Sequence, residues 1–307
     1  MYAAVDVGTN TVRLLIGSVH EGRIEPWHYF RRITRLGGGF SPERGLLPAA
    51  MERTLAALQE AAALLQGAPV QCVRGVGTAV LRAAGNGPDF ATQAADLTGI
   101  PLEIIDGAEE ARLSSLGVLS ALAPQPTTCL IIDIGGGSTE FILWYQGRAL
   151  FSRSYPLGVV RLAEDLPSPS LQTPEIDRTL TLFQAELASA GLASLASDPE
   201  CLLVGTAGTV TTLGALHLGI SEYDWQRINN LVLTIPDLRT LESVLEPLSV
   251  ADRETLAGME KGRGDLIVPG LRIVLGIMTR FHRKSLIISD FGLLEGILLN
   301  LEQTAEG

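Results

Sequence analysis

Lysine is almost missing from this chain. Of 23 basic residues only Lys261 and Lys284 carry an ammonium group, and neither lies in a Gly-Lys-Ser or Gly-Lys-Thr run, which excludes P-loop nucleotide binding. Positive charge as a whole is scarce: 34 acidic residues outnumber the basic ones and set a formal charge of −11. That balance argues against binding to a nucleic-acid polymer, and an anionic substrate would need a local positive pocket against the global field. Cysteine is limited to Cys72, Cys129 and Cys201, without CxxC spacing, so neither a disulfide framework nor a zinc site is expected. The histidines, His20, His28, His217 and His282, are dispersed and read as ordinary surface or core residues. No apolar run approaches the ~18–20 residues of a membrane span. The start, "MYAAVDVGTN", has neither a basic segment nor a cleavage site, so a cytoplasmic protein without a membrane partner is expected. Neither GxSxG nor a Cys/His pattern occurs, which leaves water as the expected nucleophile of any hydrolysis.

What is present is a globular composition, 46% hydrophobic and 19% charged over 307 residues, long enough for two domains with their own cores. One stretch does not read as ordinary packing: "LIIDIGGGSTEFIL", residues 130–143, ends an apolar strand on a carboxylate, turns through three glycines and resumes after Ser-Thr-Glu. A glycine-rich hairpin alone would need neither the aspartate nor the hydroxyls. Across the first half the apolar patterning predicts strands at 2–7, 11–19, 23–33, 70–75 and 102–105. Helices are predicted at 48–66, 78–84, 89–98 and 108–122, the first opened by Pro48 and stopped by Gly67.

The second half repeats this order. "CLIIDIGGGSTEFILWYQGR" lies on "YAAVDVGTNTVRLLIGSVHEGR", with Asp133 on Asp6, Gly135 on Gly8 and Ser138 on Thr11. Further on, "GVGTAVL" finds its partner in "LVGTAGTV": Gly77 follows Gly8 by 69 residues and Gly205 follows Gly135 by 70. Two motifs in one register in both halves point to an internal duplication. A β-β-β-α-β-α-β-α unit occurring twice implies an α/β fold with two mixed-sheet domains flanking a cleft, into which each strand–Asp–Gly turn opens. Backbone N–H groups of such turns can take an anion and the carboxylates a divalent cation. Thr78 and Gly208 each begin a predicted helix, a further place for an anion.

Duplicated Asp-x-Gly-x-x-Ser/Thr turns resemble the actin-like (ribonuclease H-like) ATPase superfamily. The wording is narrower: "GTAVLRAA", "IDGAEEARLSSLGVL", "IDIGGGSTEFIL", "PLGVVRL", "GTAGTVTTL", "KGRGDLIVPG" and "GLLEGIL" stand in the order of the exopolyphosphatase and guanosine-pentaphosphate phosphohydrolase family. The resemblance runs from about residue 2 to about residue 300 and implies magnesium-dependent removal of a terminal phosphoryl group from polyphosphate or from a phosphorylated guanine nucleotide. It implies Glu110 as the catalytic glutamate, with Arg82 near it. Asp133 and Glu140 would be acids around the metal. Gly8, Thr9, Asn10 and Thr11 would form the first phosphate loop, and Gly135, Gly136, Gly137 and Ser138 the second. Asp6, in the place of Asp133, is expected on the magnesium side through water. Domain I is expected over 1–124, completed by a C-terminal helix at about 290–307, and domain II over 125–289; a homodimer is the one protein partner expected. Two departures stand out. Leu294 occupies the arginine position of the family's Gly-Leu-Arg-Glu-Gly motif, and the helical C-terminal portion of longer members does not follow, so less processive action on long chains is expected.

The residues themselves leave alternatives open. Acids favour a helix N-terminus whatever their chemistry, and Glu109 and Glu110 open one. At about 100° per residue Glu109 falls between Leu113 and Leu116, whereas Glu110 falls with Ser114, Gly117 and Ala121, a stripe that would either line a site or admit a neighbouring helix. Arg31, Arg32, Arg35, Arg112 and Arg263 are further cations that could meet a phosphate. An actin-like ATP-dependent kinase and a non-catalytic polyphosphate or nucleotide sensor are the competing readings.

Overall fold

A computed structural model describes residues 1–306. The chain divides into two compact units, Met1–Ser120 together with the C-terminal segment from Phe291, and Ala121–Asp290. Among the described residues no helix is long and apolar enough to cross a membrane.

The first unit opens with a meander of β1 (Tyr2–Val7), β2 (Thr11–His20) and β3 (Arg23–Ile33). Then follow α1 (Pro48–Gln66), β4 (Cys72–Gly77), α2 (Ala79–Ala83), α3 (Gly87–Thr98), β5 (Leu102–Ile104) and α4 (Gly107–Ala121). Its five strands lie in the order β3-β2-β1-β4-β5, antiparallel within the meander and parallel from β1 to β5. Leu14, Ile16 and Phe90 fill one face of the sheet. The other face is covered by Leu113 of α4 and by Leu293, Ile297 and Leu298 from the end of the chain.

The second unit repeats the plan. β6 (Thr128–Ile134), β7 (Thr139–Tyr145) and β8 (Arg148–Tyr155) form its meander, followed by α5 (Val159–Asp165), α6 (Pro169–Ser189) and α7 (Ala193–Ser197). β9 (Leu202–Thr206), α8 (Ala207–Leu218), α9 (Trp225–Ile228), β10 (Val232–Thr234) and α10 (Ile235–Leu245) come next. α11 (Val250–Arg253), α12 (Ile267–Arg280) and β11 (Ser285–Ile288) complete the unit, and α13 (Leu293–Glu306) returns to the first. The order β8-β7-β6-β9-β11 matches that of the first sheet, with β10 added beyond β11. Phe141, Phe183 and Phe281 meet in the core of this unit, Phe141 and Phe183 with ring centroids 4.3 Å apart.

The small-residue stripe of α4 serves packing. A Cβ on Gly117 would strike the carbonyl of Gly292, and one on Gly296 of α13 would strike that of Leu113. The two helices are therefore in backbone contact, which only glycine permits. Leu294 sits in the same layer, 2% exposed among apolar neighbours. At the position where the resemblance expects an arginine, the chain carries a core residue.

Candidate functional site

Both Asp-Gly turns are built alike. In the first unit β1 and β2 are joined through Gly8–Asn10, with the Gly8 N–H donating to the Thr11 carbonyl at 2.9 Å. In the second, Gly135 donates to Ser138 at the same 2.9 Å. The chain leaving the third strand of each meander then ties back the turn's carbonyl oxygens. The Asn10 carbonyl accepts from the N–H groups of Thr34 and Arg35 at 2.9 and 3.0 Å, and that of Thr9 accepts from Gly37 at 2.8 Å. In the second unit Val159 donates to Gly135 at 3.1 Å and Val160 to Gly136 at 2.9 Å. Glycine is demanded at both braces: a Cβ on Gly37 would collide with the Thr9 side chain, and one on Gly158 with the backbone of Gly136 and Gly137.

The electrostatic result is one-sided. Carbonyl oxygens of the turns are engaged, whereas the N–H groups of Thr9, Asn10, Gly136 and Gly137 donate to no group among the described residues. Successive amides freed in this way are donors that an anion can take up. The Asn10 side chain, 6% exposed, also keeps a buried Oδ1 without a hydrogen-bond partner among the described residues.

The carboxylates beside the turns differ between the halves. Asp6, 2% exposed, receives both Nε and Nη2 of Arg13 on its Oδ2, at 2.8 and 2.6 Å. Its Oδ1 is buried and has no partner among the described residues. Asp133 is directly opposed across the β6–β7 ladder by Glu140. Glu140 is 2% exposed, and its Oε1 accepts from the hydroxyls of Ser138 at 2.7 Å and Ser154 at 2.6 Å. The Ser138 hydroxyl proton is thus given to a carboxylate, and it would have to rotate away from Glu140 to be donated to an anion.

Glu110 and Arg82 are brought together. Arg82 Nη1 donates to Glu110 Oε2 at 3.1 Å and to the Ile105 carbonyl at 2.8 Å, just ahead of α4. Glu110 is buried, and its neighbours in the stripe, Ser114 and Gly117, are buried too. Glu109 has a different fate from the one its helical position suggests. It lies in a cluster with Arg112, 2.7 Å away, and with Arg74 of β4, 3.3 Å away. Hydrogen bonds from Arg112, reinforced by Arg74, hold its carboxyl below the usual carboxylate range. Of the other candidate cations, Arg32 pairs with Glu60 at 2.8 Å over the Phe30 ring, Arg112 with Glu109, and Arg263 with Glu260 at 3.0 Å. α8 begins at Ala207, with Thr209 donating its hydroxyl to the Ile134 carbonyl at 3.1 Å.

Three residues of this arrangement escape reading from single motifs: Arg13, Ser154 and Gly37. Arg13 could have been found by laying one repeat on the other, which sets it on Glu140. Ser154 lies a strand away from its partner, and nothing local marks it.

The repeated sheet order with its carboxylate-flanked turns defines a duplicated α/β protein. The Ppx/GppA phosphatase family matches residues 15–305, and the chain belongs to that family. Exopolyphosphatase 2 of Mycobacterium tuberculosis (strain CDC 1551 / Oshkosh) is 34% identical, with 97% of this chain and 98% of that protein aligned. The guanosine-5′-triphosphate,3′-diphosphate pyrophosphatase of Aeromonas salmonicida is 30% identical over 98% of this chain and 59% of its own length. The crystal structure of the Aquifex aeolicus member superposes with a TM-score of 0.79 at 28% identity, covering 100% of this chain and 98% of that one. The chain is accordingly a phosphoanhydride hydrolase.

Proposed function

We propose that the chain is an exopolyphosphatase, passing the terminal phosphoryl group of inorganic polyphosphate to water. The observation that carries this reading is the pair of turns whose carbonyls are tied back while their amides remain open. An inorganic phosphate chain offers anionic oxygens and no base or sugar, so a site of backbone amides suits it. In this reading Gly8–Thr11 and Gly135–Ser138 hold phosphoryl oxygens. Glu110, oriented by Arg82, takes a proton from the attacking water as the new P–O bond forms and the anhydride P–O bond breaks. Asp133 and Glu140, opposed across one ladder, are hard oxygen donors and would hold magnesium, which takes one or two carboxylates and completes its shell with water and substrate. Bound there, the ion would neutralise charge on the leaving phosphate.

Guanosine-pentaphosphate 5′-phosphohydrolysis breaks the same kind of bond, and the Aeromonas relative favours it as the second reading. Phosphate release from short polyphosphate, long polyphosphate, guanosine pentaphosphate and ATP, measured side by side with and without magnesium, separates the two. Polyphosphate should be preferred on kcat/KM. A preference for guanosine pentaphosphate would replace the first reading with the second, and turnover of ATP alone would remove both.

A further inference from the structure

The two halves of the chain carry the same turn with opposite charges beside it. In the first unit Asp6 is opposed across the ladder by Arg13; in the second Asp133 is opposed by Glu140, at the same spacing of seven residues. A second carboxylate at that position adds repulsion that a cation relieves. A guanidinium supplies the positive charge from within the chain. The Arg13 fork closes on one oxygen of Asp6 at 2.6 and 2.8 Å, with the Arg13 side chain 21% exposed and that of Asp6 3%. A carboxylate this deeply buried needs such a partner, because an unpaired charge in the interior is costly.

We infer that Arg13 is a resident counter-ion standing where the first repeat would otherwise require a divalent metal. It neutralises Asp6 through Oδ2 and fixes the carboxylate beside the first turn, with the buried Oδ1 as the acceptor left open there. One half of the duplicated site thereby works with a guanidinium and the other with a metal ion, so the protein takes a single functional cation. Arg13 is a positioning residue acting through Asp6. The inference rests on the reading of Asp133 and Glu140 as the metal pair.

Counting bound Mn2+ on the full chain by electron paramagnetic resonance tests it. Wild type should bind one ion, and Asp133→Ala none. Arg13→Glu, which copies the arrangement of the second half, should bind two. Arg13→Ala should retain the one site while losing at least tenfold in kcat, and guanidinium at sub-denaturing concentration should restore much of that loss where equal sodium chloride does not. If Arg13→Glu does not fold, the wild-type count and the guanidinium rescue decide. Two ions on wild type, one surviving Asp133→Ala and lost in Asp6→Ala, would overturn the role of Arg13 but keep the Asp133 site. A folded Arg13→Glu that still binds one ion, or an Arg13→Ala that guanidinium does not rescue, would also overturn it. An Asp133→Ala protein that keeps its single ion would instead overturn the metal-pair reading underneath.

Discussion

Two neighbouring glutamates on one helical turn are held by different partners. Glu110 is buried against Arg82, and Glu109 is engaged by Arg74 and Arg112. Glu110→Gln keeps the shape and removes the proton acceptor, so kcat for phosphate release should fall by about 10²- to 10⁴-fold while apparent substrate affinity holds. Glu109→Gln should leave kcat near wild type and cost at most about 1 kcal/mol of stability, because its ion pairs are partly solvent-screened. The sign of the pH dependence follows from its lowered pKa. The contribution of Glu109 is full above the unfolded-state carboxyl pKa and fades as pH falls through the depressed folded value. Urea denaturation of wild type and Glu109→Gln should accordingly differ at neutral pH and converge in strong acid. The thiols offer a second test. Burial pushes Cys129 up to about 12, helped by nearby Cys201, which burial also raises, whereas Cys72 is exposed. Since the thiolate is the reactive form, iodoacetamide should label one cysteine in the native protein and three after denaturation, as counted by mass spectrometry.

At the scale of elements, β1 and β3 lie at the expected residues, as does α1 behind Pro48. β4 is displaced, to Cys72–Gly77 from an expected 70–75. Glycine propensity hides its second half, yet Gly75 and Gly77 pair with β1 and β5, and a Cβ there would strike the Pro101 carbonyl or the Leu81 side chain. The turns and their carboxylates were legible because Asp-Gly patterns are local. The Arg74–Glu109 contact was not, since its partners meet only once β4 and α4 are packed. Likewise, the stripe on α4 could be read two ways until α13 was found against it. That contact makes a firm expectation: Gly117→Ala should cost about 1–3 kcal/mol by overpacking, because the opposing atom is backbone and cannot rotate away. Chemical denaturation should show a lower midpoint for Gly117→Ala, whereas Gly147→Ala, on a hairpin where a Cβ meets nothing within 4 Å but φ is +87°, should cost only its backbone strain.

For the molecule as a whole, the first unit is discontinuous in sequence. Its second apolar layer draws Leu293, Leu294, Ile297 and Leu298 from α13. Deleting the chain from Phe291 onward would uncover that layer, and each buried aliphatic side chain is worth about 1.5–3 kcal/mol. A 1–290 variant should therefore lose the cooperative unfolding transition of its first unit in calorimetry while Ala121–Asp290 still melts on its own.

The same discontinuity has a consequence for biosynthesis. A ribosome delivers Met1–Ser120 first, then the 170 residues of Ala121–Asp290, and only afterwards α13. At about 5–20 residues per second, the nascent first half waits roughly 10–35 s for the segment that seals its sheet. During that interval Ala4, Leu15 and Val76 lack part of their apolar cover. Order of manufacture and order of completion are therefore inverted: a segment translated after the whole of the second unit is the one that allows the first unit to finish.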